Sequence, residues 1–361
     1  MDTRKRRQVP VETLECSSDN VAPLNTDRNT DTMIDDESSL HAVVEGTNWW
    51  GIATLFRCEL ENDPRNVDIG LVGVPHSAGN GTSQRDQHYG PRAVRHVSAE
   101  YRRFHREFGI NPWELCRIRD MGDPRLPHAM VNDLAMKDIE AFYRKLDAAN
   151  VRPVSIGGDH SIVLPILRAI AGPRSNTAGK PVAVIHVDAH TDTYYDEAHY
   201  MGNREWAGGW GVLMKQEGLV DPDCVFQVGI RGHGYAQTDT DLGYNVIEYK
   251  EFQKLGVTGV VSEIRTVIDA DMPVYITFDL DALDPTVAPG VANVEAGEGM
   301  KMGEALELLQ GLRGMNVIGG DVVELVPSKD NPNMITSINA GALMFEQISL
   351  IADYLGRQGQ T

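Results

Sequence analysis

From Val67 onward the chain alternates short, continuously apolar runs with stretches that carry an apolar residue every three or four positions. The short runs are 67–73 (VDIGLVG), 151–156 (VRPVSI), 181–187 (PVAVIHV), 224–230 (CVFQVGI), 273–279 (PVYITFD) and 316–323 (NVIGGDVV). Their apolar positions are consecutive rather than alternating, which suits strands buried on both faces of a parallel sheet. Helical periodicity occupies intervals between them, over 134–149 with Asp133 as a candidate cap, over 303–312 and over 335–355. This alternation predicts a doubly wound α/β domain over residues 41–361, with no internal repeat and no second boundary.

The first 40 residues break the pattern: they are rich in Asp, Asn, Thr, Ser and Arg with scattered apolar positions. They read as an extension that is flexible or ordered only by packing on a neighbouring subunit. The segment 46–56 differs again, and its adjacent Trp49 and Trp50 suit a buried or subunit-contacting arm, with pocket lining as the alternative.

Composition narrows the function classes. A formal net charge of −19 opposes binding to a phosphate backbone and is compatible with a small cationic substrate. No run of 18 apolar residues marks a membrane span, and the N-terminus has no apolar core of a secretory signal. The four cysteines, Cys16, Cys58, Cys116 and Cys224, lie far apart without CxxC pairing, so a cytoplasmic location is expected.

Candidate chemistry gathers where strands end, the place where open parallel sheets collect ligands. Ser155-Ile-Gly-Gly-Asp-His-Ser161 presents His160 after a glycine turn. His186-Val-Asp-Ala-His-Thr-Asp192 carries Asp188, His190 and Asp192, which an extended backbone would point to one side, and Asp279 and Asp281 of 278–285 (FDLDALDP) share a face by the same argument. Each cluster alone has a plainer explanation: a capping loop for DAHTD, a turn for GGDH, a calcium-like loop lacking EF-hand spacing for DLDALDP. Together they converge four carboxylates, at least one of which would be forced to bind a proton unless cations intervene; two divalent ions with two imidazoles answer that need.

On these motifs the chain resembles the ureohydrolase family of arginases, agmatinases and guanidinobutyrases, over about residues 67–355. The specific matches are GGDHS (157–161), DAHTD (188–192) and DLDALDPTVAPG (279–290); weaker ones are GPRAVR (90–95), DMGD (120–123), VGIRG (228–232) and DVVELVP (321–327). The resemblance implies a single three-layer α/β domain with a parallel sheet of about eight strands, assembled as trimers or hexamers. It implies that His160 and Asp192 complete one metal site, His190 and Asp281 the other, and that Asp188 and Asp279 bridge them. It further implies that the two ions activate one water, that Asp192 accepts and relays its proton, and that Glu324 holds the substrate guanidinium. A solvated acid closing a strand is the alternative for Glu324. His76 is implied to lie near the substrate, with ordinary loop structure as the alternative.

Two loops depart from the family pattern. Where relatives carry a proton-shuttling His-Gly pair, alignment on Gly202 places Met201, which moves no proton; His199 is either its substitute or an exposed loop histidine. Segment 289–299 lacks the Gly-Thr-Pro run that lines the pocket in relatives. Both loops surround the substrate in relatives, so its identity is expected to have diverged; the 48–56 arm and the long N-terminus resemble the guanidine hydrolase branch, which includes nickel-dependent metformin hydrolases built from two related subunits. The expected substrate is therefore a guanidino or biguanide cation, the expected metal nickel or manganese, and a supporting subunit of a catalytic paralogue is the alternative role. Deacetylation on a related fold is disfavoured by the doubled aspartates.

Overall fold

The computed structural model describes residues 51–81, 85–171, 175, 181–194, 202–232 and 242–359. All of them fall within residues 48–361, which form one compact unit. The expected extension over 1–40, together with Trp49 and Trp50, lies outside the described residues.

Eight strands build one sheet: β1 (Ile69–Gly73), β2 (Ile118–Asp120), β3 (Arg152–Ile156), β4 (Val182–Val187), β5 (Val220–Ile230), β6 (Asn245–Glu248), β7 (Val274–Asp279) and β8 (Val317–Val323). Their order is β2-β1-β3-β8-β7-β4-β5-β6, and every pairing is parallel. The six apolar runs each form a strand within a few residues of the expected bounds. β2 and β6 were not anticipated. They are edge strands of three and four residues, too short and too polar to announce themselves.

Among the described residues the α-helices are α1 (Gly90–Val97), α2 (Pro112–Leu115), α3 (Asn132–Ala148), α4 (Val163–Ile170), α5 (Trp210–Gln216), α6 (Tyr249–Val267), α7 (Met302–Gly311) and α8 (Ile335–Gln358). Asp133 does not cap α3 as expected: Val131 holds the N-cap position and Asp133 sits inside the first turn, where its charge still favours the helix N-terminus. Alternate strand residues face opposite cores. Ile185 and Ile276 meet Ile264, Leu308 and Ile348 of α6, α7 and α8, while Val184 and Tyr275 meet Ile139, Ile166 and Leu213 of α3, α4 and α5. Helix, sheet and helix layers follow directly. Among the described residues α8 is long and apolar enough to cross a membrane, but 78% of its apolar window is buried, so its apolarity serves the core.

The described part of the 46–56 arm is anchored in this same core. Leu55 and Phe56 are buried, their amides donate to Asp120 and Ser98, and the Phe56 ring meets Tyr101 edge-on.

Candidate metal centre

Four adjacent strands, β3, β8, β7 and β4, deliver polar groups to one end of the sheet. After β3 the chain turns through Gly157 and Gly158; at Gly158 (φ +36°) a Cβ would stand 2.6 Å from the Val74 carbonyl oxygen and 2.7 Å from that of His76. Only glycine fits so close a backbone approach. Buried Asp159 then accepts hydrogen bonds from the amides of Gly79, Asn80 and Ser161, locking the turn that presents His160.

The aspartates converge, but not through the extended backbone expected of them. β4 ends at Val187, and Asp192 adopts φ +51°, so a left-handed turn rather than strand alternation returns its side chain toward Asp188. β7 ends at Asp279, and Leu280–Ala282 form a 3-10 turn in which Asp279 Oδ1 accepts from the Asp281 amide at 2.9 Å. Short turns set both convergences.

The resulting cluster has two halves. His160 Nδ1 lies 3.1 Å from Asp188 Oδ2, 2.9 Å from Asp192 Oδ2 and 3.2 Å from Asp279 Oδ2. His190 Nδ1 lies 3.1 Å from Asp281 Oδ2 and 3.5 Å from Asp188 Oδ1. Asp188 thus contributes one oxygen to each half. All six side chains are buried except the partly exposed His190. Among the described residues His160 Nδ1 has no aligned hydrogen bond, although three carboxylate oxygens surround it. A buried lone pair aimed into a ring of anions is what a cation ligand presents, so the donor set fits divalent ions of the kind that accept mixed imidazole and carboxylate ligands.

The electrostatics tell the same story. Burial disfavours charge on His160, but Asp192, Asp188 and Asp279 outweigh it and hold the imidazole well above its ordinary basicity. His190 is likewise raised against its burial, by Asp281 and Asp188. Asp279 is pushed far up by burial and by Asp281 and Asp188, and Asp281 to about 6 by burial and Asp188. The cluster lacks positive charge and takes protons where cations would serve.

Beneath it runs a row of fully buried polar residues that the motifs did not reveal. Ser155, Asp321, Thr277, His186 and Gln227 stand in register on successive strands β3, β8, β7, β4 and β5, on the face covered by α3, α4 and α5. Asp321 accepts from Tyr275 Oη (2.5 Å) and Thr277 Oγ1 (2.7 Å), and Thr277 Oγ1 lies 2.8 Å from His160 Nε2. His186 Nε2 stands 2.7 Å from Asp188 Oδ2. From α5, Trp210 donates to Asp192 Oδ2 at 2.8 Å, and its indole lies against both His160 and His186. Glu295, in the atypical 289–299 segment, reaches His190 Nε2 at 2.9 Å. The available signal was a polar residue interrupting each of five apolar runs.

Glu324 follows β8 directly, at φ +66°. Its buried carboxylate accepts from the His160 amide at 2.8 Å, from Asn80 Nδ2 at 3.0 Å to each oxygen, and from Gln87 Nε2 at 3.1 Å. Burial, with Asp159 nearby, pushes its pKa to about 8. It is no solvated strand end. The His76 side chain is buried and engages Asn132 of α3 at 2.8 Å through Nε2. His199 and Met201 lie outside the described residues.

Comparison with known proteins places this arrangement. The Arginase family model matches residues 67–349. The chain is 38% identical to guanidinopropionase of Pseudomonas aeruginosa over 316 residues, covering 85% of this chain and 94% of that one. It is 34% identical to the mitochondrial agmatinase of Gallus gallus, covering 83% and 86%. Among solved structures it resembles the proclavaminate amidino hydrolase of Streptomyces clavuligerus with a TM-score of 0.78 at 30% identity, covering 85% and 99%. With a matching family model, these relatives and this fold, the chain belongs to the arginase family.

Proposed function

We propose that this chain is a metal-dependent hydrolase that cleaves a C–N bond of a guanidino or biguanide cation, releasing urea or guanylurea and an amine. In this reading His160, Asp188, His190, Asp192, Asp279 and Asp281 hold two divalent cations, with Asp188 and Asp279 between them. The observation that carries it is the divided Asp188 carboxylate, one oxygen in each half of a buried His/Asp cluster. The names of the relatives, guanidinopropionase, agmatinase and guanidinobutyrase, support a guanidino substrate.

A guanidinium carbon is a poor electrophile, and divalent cations held by these residues would supply a hydroxide nucleophile at neutral pH. The chain's own residues orient and exchange protons. Asp192, anchored by Trp210, accepts the nucleophile's proton and passes it to the departing amine. Glu324 pairs with the guanidinium, whose positive charge draws the buried carboxyl back to its ionised form. His199 is the proposed proton relay, and Met201 and His76 are proposed substrate contacts.

Within the guanidino class we favour a guanidine- or metformin-type substrate. Glu295 adds a carboxylate beside His190, where a substrate tail bearing its own carboxylate would meet like charge and a cationic or neutral one would not. Nickel and manganese both suit the ligand set. The proposed assembly is a trimer or hexamer, alone or with a homologous subunit, and large apolar side chains left exposed at Ile52, Phe104 and Met130 support partner contacts. The described cysteines are free and buried, in keeping with a cytoplasmic setting.

The test is protein loaded with manganese or with nickel, assayed for urea, guanylurea and amine release from guanidine, dimethylbiguanide, agmatine and 3-guanidinopropionate. Turnover of guanidine or the biguanide above the guanidino acid is expected. Preference for 3-guanidinopropionate would overturn the substrate assignment, and silence on all four with either metal would overturn the hydrolase reading for the chain alone.

A further inference from the structure

Gln227 sits in the middle of β5, fully buried, in register with His186 of β4. Its Nε2 lies 2.6 Å from the Thr191 carbonyl oxygen and 3.2 Å from His186 Nδ1. A carbonyl oxygen only accepts, so the amide must turn its NH2 group, not its oxygen, toward Thr191. The second hydrogen on the same nitrogen then faces His186 Nδ1, which must be the bare acceptor of the ring. The ring proton is thereby assigned to Nε2, 2.7 Å from Asp188 Oδ2, where the opposite tautomer would set a lone pair against a carboxylate. Trp210 packs edge-on to the His186 ring and fixes its plane.

The other end of the amide is equally informative. Among the described residues Gln227 Oε1 is buried without a hydrogen-bond partner. A leucine of similar size would fill the same space without leaving a desolvated oxygen unpaired, so the carboxamide is a poor choice for stability alone. Its worth lies in the two bonds its nitrogen makes, one leading through His186 to Asp188 and one holding the Thr191 carbonyl directly before Asp192.

We propose that Gln227 is a positioning residue of the metal centre, a single carboxamide that fixes both ends of the Asp188–Asp192 loop by setting the His186 tautomer and restraining the Thr191 carbonyl. This rests on the reading that Asp188 and Asp192 are cation ligands. Partners of this kind, once removed, typically weaken metal binding about 10–100-fold.

The experiment is calorimetric titration of manganese(II) into the metal-free full chain, wild type and Gln227→Leu, with thermal melts of both. A folded variant that binds manganese about 10–100-fold more weakly is expected. A wild type that binds while the variant binds equally tightly overturns this inference and leaves the metal reading standing. A wild type that takes up neither manganese nor, titrated in its place, nickel overturns the metal reading and this inference with it. Should Gln227→Leu fail to fold, the imidazole nitrogens of wild-type chain labelled with 15N-histidine and loaded with zinc decide the matter, His186 being assigned through His186→Asn. A bare Nδ1 and a protonated Nε2 are expected there, and a protonated Nδ1 with a bare Nε2 overturns the inference.

Discussion

Asp188 is oriented by two contacts, His186 Nε2 against Oδ2 at 2.7 Å and the His190 amide donating to Oδ1 at 2.6 Å, while burial removes competing water. An asparagine there keeps the shape and one acceptor but loses the charge needed between two cations. Asp188→Asn is therefore expected to fold, to hold fewer than two cations, and to lose activity by more than about 100-fold, beyond what removal of a mere orienting partner costs. Metal content measured alongside rate checks this; full activity with two ions per chain would exclude the bridging role. The six candidate ligands were legible because three clusters of imidazoles and carboxylates at strand ends, each explicable alone, have few structural uses together. His186, Gln227, Thr277 and Asp321 were just as visible as letters. Their meaning depends on strand order, because only the succession β3-β8-β7-β4-β5 lines them into one row.

At the level of elements, long apolar runs found the central strands and failed at the edges, where Ile118–Asp120 and Asn245–Glu248 need fewer apolar residues. Periodicity likewise found α3, α7 and α8 but not how they begin. Met334, at the N-cap of α8, has φ +54° and a side chain that caps nothing. The cap comes from farther back: Asp330 accepts from the amides of Thr336 (3.0 Å) and Ser337 (2.9 Å) and from Ser337 Oγ (2.8 Å). A carboxylate in that place also meets the positive end of a 24-residue helix. Removing it leaves amides without their acceptor, so Asp330→Ala is expected to cost about 1–2 kcal/mol. The measurement is a thermal melt with metal content determined in parallel. An unchanged melting temperature would show that the cap is dispensable, and a lost cation would show that α8 and the metal centre are coupled. The same limit applies to the aspartate pairs: sequence spacing brought them together on paper through extended chain, whereas a left-handed residue and a 3-10 turn do it in the protein.

For the whole molecule, the strand order sends the chain outward to both sheet edges before β7 and β8 return to fill the gap between β3 and β4. Residues 164 positions apart, His160 and Glu324, thereby meet at one end, and an acidic chain concentrates buried carboxylates there. Stability must then depend on what neutralises them. Asp281, raised to about 6, and Glu324, raised to about 8, both have folded-state pKa values above their unfolded ones. Each therefore contributes stability that is complete at low pH and lost as pH rises through the folded value, Asp281 between about 4 and 6 and Glu324 between about 4.5 and 8. His160 and His190 are raised too, so their contribution also declines once pH passes the unfolded histidine value of about 6.5. Bound cations act in the opposite sense, because their ligands must be deprotonated and affinity grows with pH. At 100 times the dissociation constant a cation adds about 2.7 kcal/mol to the folded state. Chelation is thus expected to lower the melting temperature by several degrees near pH 8 and by distinctly less near pH 5.5, where protons already offset the carboxylates. Melts of chelated and manganese-loaded protein at the two pH values decide it: a gap that is absent, or wider in acid, would mean that the buried aspartates are neutralised by something other than the cations assigned to them.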